Sequence, residues 1–195
     1  VNCVVRNCVM VGNQGAGALV YLKNLSADSP PVSLTFENCL IGPGNRMGAV
    51  VGAVRDGGPS GAVIFRDCVI RNPRQAGAYV YDKSASGAEV RFENCQWSGA
   101  WSEPPSNYKG TMAPLRVYLR RPSITEKQGG IHFEGCYVHM EADAPVLAIE
   151  EQESDFGAAN ISGTVYVRAP REPEVHAGPD PDSVDVQIVP VGPAE

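Results

Sequence analysis

Six cysteines, three histidines and a few isolated carboxylates are the groups whose chemistry this sequence invites first. The thiols of Cys3, Cys8, Cys39, Cys68, Cys95 and Cys136 are candidate metal ligands or disulfide partners. Zinc needs ligands in close pairs. There is no C-x-x-C or H-x-H spacing here, and His132, His139 and His176 pair with no cysteine. No metal site is therefore expected. For acid–base chemistry the candidates are Asp82 and Glu103. Asp82 follows the apolar run Ala78-Tyr79-Val80-Tyr81, where burial would raise a carboxyl pKa. The competing reading of Asp82 is a cap on the Asp-Lys-Ser-Ala-Ser-Gly turn.

The elements that would hold these groups follow from a repeat. Cys8, Cys39, Cys68, Cys95 and Cys136 occupy one slot, as in Val5-Arg6-Asn7-Cys8-Val9-Met10 and Phe36-Glu37-Asn38-Cys39-Leu40-Ile41. Residues 161–166 form a degenerate sixth copy with Thr164 in the cysteine slot. Successive slots lie 31, 29, 27, 41 and 28 residues apart, so the period is near 28 with one insertion before Cys136. Each copy also holds an A-x-V run, such as Ala18-Leu19-Val20-Tyr21 or Ala49-Val50-Val51-Gly52. Alternation of period two marks all these pieces as strands. A short helix is expected only within residues 144–156.

Three short strands per repeat describe a three-sided parallel solenoid. Asn7, Asn38, Asp67, Asn94, Gly135 and Gly163 share the position before the cysteine slot. These residue types tolerate a left-handed backbone, which turns the chain sharply between strands. Stacked rungs lie about 4.8 Å apart. A column of cysteines with parallel Cβ vectors does not meet disulfide geometry, so free core thiols are expected. Cys3 aligns with Leu34, Val63, Val90 and Ile131 and is expected in the core too.

Composition sets outer bounds. Hydrophobic residues make up 43% and charged residues 19%, enough apolar material for a core. A net charge of −6 argues against nucleic-acid binding by bulk charge. No apolar run is long enough to span a bilayer. Residues 1–168 read as rungs and 169–195 as a Pro-, Gly- and acid-rich linker followed by a capping strand over 184–189. The chain opens in mid-rung, which leads to the expectation that it is the C-terminal part of a longer β-helix.

On the N-C-x-[IV] corner and this rung arithmetic, residues 1–168 resemble the right-handed parallel β-helix of the pectate-lyase-like superfamily. The resemblance implies an all-β fold of about six rungs with a C-terminal strand or tail. It implies an extracellular polysaccharide, possibly acidic, as partner, a secreted or cell-surface location, and calcium as a cofactor by resemblance only. No Asp cluster supports calcium. The activity implied is that of a polysaccharide lyase or glycoside hydrolase, or part of one. A non-catalytic glycan-binding, cell-surface or tailspike-like module is the alternative, since one fold hosts many functions.

Strand alternation then distributes the outward residues. On the A-x-V side it exposes Tyr21 and Lys23, then Tyr79, Tyr81 and Lys83, then Arg116, Tyr118 and Arg120. Tyrosine rings offer sugars a platform, and Lys or Arg a partner for acidic groups; the plain alternative is a solvated β-face. The insertion carries Trp101 and Tyr108, which could wall a cleft beside Tyr118, or fold back over the rung. The V-x-F side shows Glu37, Arg66, Glu93 and Glu134, a solvated ladder of opposite charges. The C-x-I side shows Val9, Leu40, Val69, Tyr137 and Val165, an apolar row expected to be covered by a packing partner or by the tail.

Overall fold

A computed structural model describes residues 2–12, 15–22, 28–52, 60–83, 88–101, 112–119, 130–151, 161–177 and 184–192, with backbone alone at 82, 83, 119 and 151. The first turn consists of β1 (Asn2–Arg6), β2 (Val9–Met10) and β3 (Ala16–Tyr21). The second has β4 (Val32–Glu37), β5 (Leu40–Ile41) and β6 (Met47–Gly52), and the third β7 (Gly61–Arg66), β8 (Val69–Arg71) and β9 (Ala76–Lys83). The fourth is β10 (Glu89–Glu93), β11 (Gln96–Gly99) and β12 (Leu115–Leu119). Every pairing between turns is parallel. The protein is an all-β parallel solenoid.

About four turns are three-stranded, fewer than the six rungs expected. Beyond them the first two sides merge into single long strands, β13 (Ile131–Met140) and then β15 (Ile161–Arg168). The third side continues as β14 (Leu147–Glu151) and β16 (Val175–His176). Of the stretch 144–156 expected to hold a short helix, residues 144–151 give a bend and a strand, because Leu147 and Ile149 pair in register with Leu115 and Val117, and residues 152–156 lie outside the described residues. Part of the expected linker is also structural, since β16 lies within it. β17 (Val184–Pro190) stacks in parallel on β15, with Val184, Val186 and Ile188 against the core. β17 thus extends the merged first and second sides by one strand, and among the described residues it lies beside β15 rather than across the outward C-x-I row.

The corner between the first two sides explains the repeat. Asn7, Asn38, Asp67 and Asn94 have φ of 58°, 51°, 52° and 53°, and Gly135 has 59°. The amide N–H groups of Asn7, Asn38, Asp67 and Asn94 donate to the next turn, as in Asn38 N to Arg66 O at 3.0 Å. The side chains add rungs of their own: Asn38 Nδ2 donates to Asn7 Oδ1 at 2.8 Å and Asn94 Nδ2 to Asp67 Oδ1 at 3.3 Å. Directly inside lies the cysteine column. Cys39, Cys68, Cys95 and Cys136 are free and buried. Their thiols donate to the preceding turn, at Val5 O, Phe36 O, Phe65 O and Phe92 O, over 3.5, 3.5, 3.3 and 3.2 Å. Burial pushes Cys39 and Cys95 above the usual thiol range and Cys136 up to about 12. Cys3 departs from expectation: it is exposed, because β1 is the outermost strand of its side and no described strand stacks over it.

Phe36, Phe65, Phe92 and Phe133 stack through the core with centroids 4.7, 5.3 and 5.4 Å apart, close to the spacing of successive turns. At the opposite corner Gly17, Gly48 and Gly77 form a column that the A-x-V motif did not include. A Cβ on Gly48 would run into Ile70 Cγ2, and one on Gly77 into Trp97 Cδ1. The absence of side chains lets the large residues of the second side lie against the third.

The sixth copy is out of register with its sequence alignment. Val165, not Thr164, stacks on Cys136, and Tyr166 stacks on Tyr137. The corner of β15 is one residue shorter than that of β13, so Gly163 pairs with Phe133 rather than Gly135. Val165 is therefore fully buried, and Tyr166, 41% exposed, takes its place in the outward row. Val9 in that row is 67% exposed, while Leu40, Val69 and Tyr137 are half-buried.

Candidate functional site

The third side, with order β16-β14-β12-β9-β6-β3, gathers most of the described candidate residues. Parallel register places Tyr21, Gly52, Tyr81, Tyr118 and Glu150 in one outward column. The neighbouring column reads Leu19, Val50, Tyr79, Arg116, Ala148 and His176. Tyr21 is exposed, while Tyr81 and Tyr118 are half-buried. The expectation that Tyr79 and Arg116 are exposed does not hold: only 4% and 2% of their surfaces remain accessible. Both face outward from the sheet, but Tyr79 belongs to a second apolar cluster on its outer face and Arg116 lies against the Tyr79 ring. Val50, Ala76 and Tyr79 are the buried members, with Ala16, Met47, Tyr81 and Tyr118 packed against them.

Gly52 shapes this face. A Cβ there would collide with Tyr81 Cζ, so the Tyr81 ring lies across Gly52. This brings Tyr81 to 6.3 Å from Tyr21, two turns away, and the ring also stacks on Tyr79 at 5.3 Å. Three tyrosines thus form a continuous aromatic strip, and Tyr118 extends its outward column in register.

Arg116 anchors the other end. Its guanidinium carbon lies 5.1 Å from the Tyr79 ring centroid, a cation–π distance. Arg116 Nη2 donates to Glu150 Oε2 at 2.8 Å, with side-chain exposures of 1% and 15%. Arg116 Nε and Nη1 are buried and have no hydrogen-bond partner among the described residues. Taking this charge out of water is expensive unless it is paired, so Glu150 is what holds it in place. Glu150 was not among the candidates. Aligning Pro114 with Pro145 shifts β14 by one residue and sets Glu150 opposite Leu119; the structural register sets it opposite Tyr118.

Asp82 sits at a β-bulge. Tyr118 pairs with Tyr81 and Leu119 with Lys83, so Asp82 is the extra residue. Bulges re-aim side chains and are common beside active sites. Only the backbone of Asp82 and Lys83 is described, and Lys23, Glu103, Tyr108 and Arg120 lie outside the described residues. Trp101 does not wall a cleft: it is 1% exposed, within the main core. Its left-handed φ of 44° turns the chain after β11 so that the ring folds inward.

Among the described residues no cluster of three or more His, Cys, Asp or Glu side chains could hold a metal ion. Calcium therefore has no donor set among the described residues. Among those residues no helix is long and apolar enough to cross a membrane. The chain matches no protein-family model, no curated protein and no solved structure.

Proposed function

We propose that the protein binds polysaccharide along the outer face of its third side, as a glycan-binding β-solenoid module of secreted or cell-surface type. The observation that carries this is the Tyr21–Tyr81–Tyr79 strip ending on Arg116 and Glu150. Sugar rings present apolar C–H faces to aromatic rings: Tyr21 is exposed and Tyr81 and Tyr118 are half-buried, while the buried Tyr79 and Arg116 support them from beneath. A strip of rings across successive turns matches a linear polymer better than a small ligand. Pectate-lyase-like relationship would agree with this use of the fold, though fold alone fixes no activity.

A catalytic reading, as polysaccharide lyase or glycoside hydrolase, is favoured by one observation: the bulge at Asp82 adjoins Tyr81 and faces the strand bearing Tyr118. Hydrolysis would need a second carboxyl at defined separation, for which Glu150 is the nearest described residue in register. Affinity electrophoresis against a polysaccharide panel, with product assays on the same mixtures, tests both readings. Retardation that Tyr81→Ala and Tyr118→Ala abolish supports the face. Retardation unchanged by either substitution overturns it. New reducing ends or unsaturated products would favour the enzyme.

A further inference from the structure

We infer that the outer face of the second side is a separate binding surface for a linear acidic polysaccharide, centred on Arg71, His139 and Arg168. The inference does not rest on the third-side reading. Register gives this face two outward rows. One reads Leu40, Val69, Gln96, Tyr137 and Tyr166, the other Arg71, Ser98, His139 and Arg168. Arg71, Gln96 and Tyr166 are exposed, and Tyr137, His139 and Arg168 half-buried. The charges carry the argument. On the first side Arg6, Arg66 and Arg91 each meet a glutamate. The side chains of Arg71, His139 and Arg168 have no hydrogen-bond or ion-pair partner among the described residues. Neither row holds a carboxylate. Asp67, at the adjoining corner, accepts from Asn94 Nδ2 at 3.3 Å, and Glu141 lies beyond the end of β13. On a chain of net charge −6 this strip is locally positive, and such a strip concentrates anions.

Its dimensions and residue types narrow the ligand. Arg71 and Arg168 lie three turns apart, so their backbones are roughly 14 Å apart along the axis. That span suits an extended chain with anionic groups at intervals better than one small anion. Each guanidinium can take a carboxylate or sulfate in a forked pair of hydrogen bonds. Tyr137 and Tyr166 stand in register on adjacent turns and offer sugar rings an apolar platform. Gln96 and Ser98 supply donors and acceptors for hydroxyls. Nucleic acid is the poorer match, because its dense phosphate charge would meet only two arginines and an otherwise acidic chain.

The test measures binding of polygalacturonate, alginate and heparin at low and high salt, with dextran and oligothymidylate for comparison. The unaltered chain should bind at least one of the three acidic polymers, and salt should weaken that binding. Arg71→Ser with Arg168→Ser should weaken it at least roughly tenfold and leave the response to dextran unaltered. Arg66→Ser with Arg91→Ser removes the same charge from the first side and should leave acidic binding unchanged. Tyr166→Ala should weaken acidic binding without altering net charge. Thermal melting checks that each variant folds. No acidic binding at low salt, equal loss in both arginine double variants, or tighter binding of oligothymidylate overturns the inference. Acidic binding that Tyr81→Ala removes and the Arg71 and Arg168 substitutions do not would also overturn it, and would leave the third-side reading standing.

Discussion

The first and third sides of the solenoid both carry Arg–Glu pairs across neighbouring turns, yet the pairs do different things. On the first side Arg6 meets Glu37 at 2.7 Å and Arg66 meets Glu93 at 2.6 Å, with arginine side chains 59% and 43% exposed. On the third side Arg116 meets Glu150 at 2.8 Å with its side chain 1% exposed. Distance hardly separates them; burial does. Water screens the first pairs, so they contribute about 1 kcal/mol or less each. They act as cross-strand pairs on a solvated sheet. The third-side pair sits in low dielectric on an aromatic strip, where an unpaired charge is not tolerated. A solenoid that repeats its backbone every turn can thus keep one face generic and make another specific, by covering one pair.

The largest expected effect tests that contrast. Glu150→Ala should destabilise the fold by about 3–5 kcal/mol, because it strands a buried guanidinium. Glu93→Ala should lose about 1 kcal/mol or less. Urea unfolding of the two variants measures both, and equal losses would erase the distinction. Replacing the pair together, Arg116→Met with Glu150→Leu, should be near neutral in stability while removing glycan binding; retained binding would exclude the pair from the site.

Next comes Gly52. Gly52→Val should displace the Tyr81 ring, costing about 1–3 kcal/mol and weakening glycan binding with it. A full-affinity variant would show that the Tyr21–Tyr81 approach is incidental.

A smaller effect concerns the cysteine column. The Cys136 thiol rises from 9.0 to about 12 on folding, mainly by burial. The folded state then holds its proton longer than the unfolded chain does. The stabilisation is complete below pH 9 and is lost as pH rises from there to about 12. The slope should be about 1.4 kcal/mol per pH unit for this group. Cys136→Ala should be less stable at neutral pH and lack that component of alkaline loss, as thermal melts over pH 8–10 would reveal. Thiol titration should modify Cys3 readily and the four buried cysteines only on unfolding.

Much of the fold was legible because a solenoid prints each contact several times. The corner Asn and Asp residues, the cysteine slot and the V-x-F strands recur at the same offsets, so register follows from alignment. Legibility failed where the repeat changed length. One residue fewer in the β15 corner moved Val165 inward and Tyr166 outward. A one-residue shift at Pro145 hid Glu150. The third-side tyrosines were legible from alternation, but their cover was not: period two says which way Tyr79 and Arg116 face, not whether the outer face is buried. Trp101 failed for a local reason, since a left-handed tryptophan has no sequence signature of its own.

Hydrogen exchange with a bound polysaccharide tests the central claim most directly. The expected result is slower exchange in peptides covering β9, β12 and β14, with those covering β4, β7 and β10 unchanged. Protection confined to β4, β7 and β10, or spread evenly over all three sides, would contradict it.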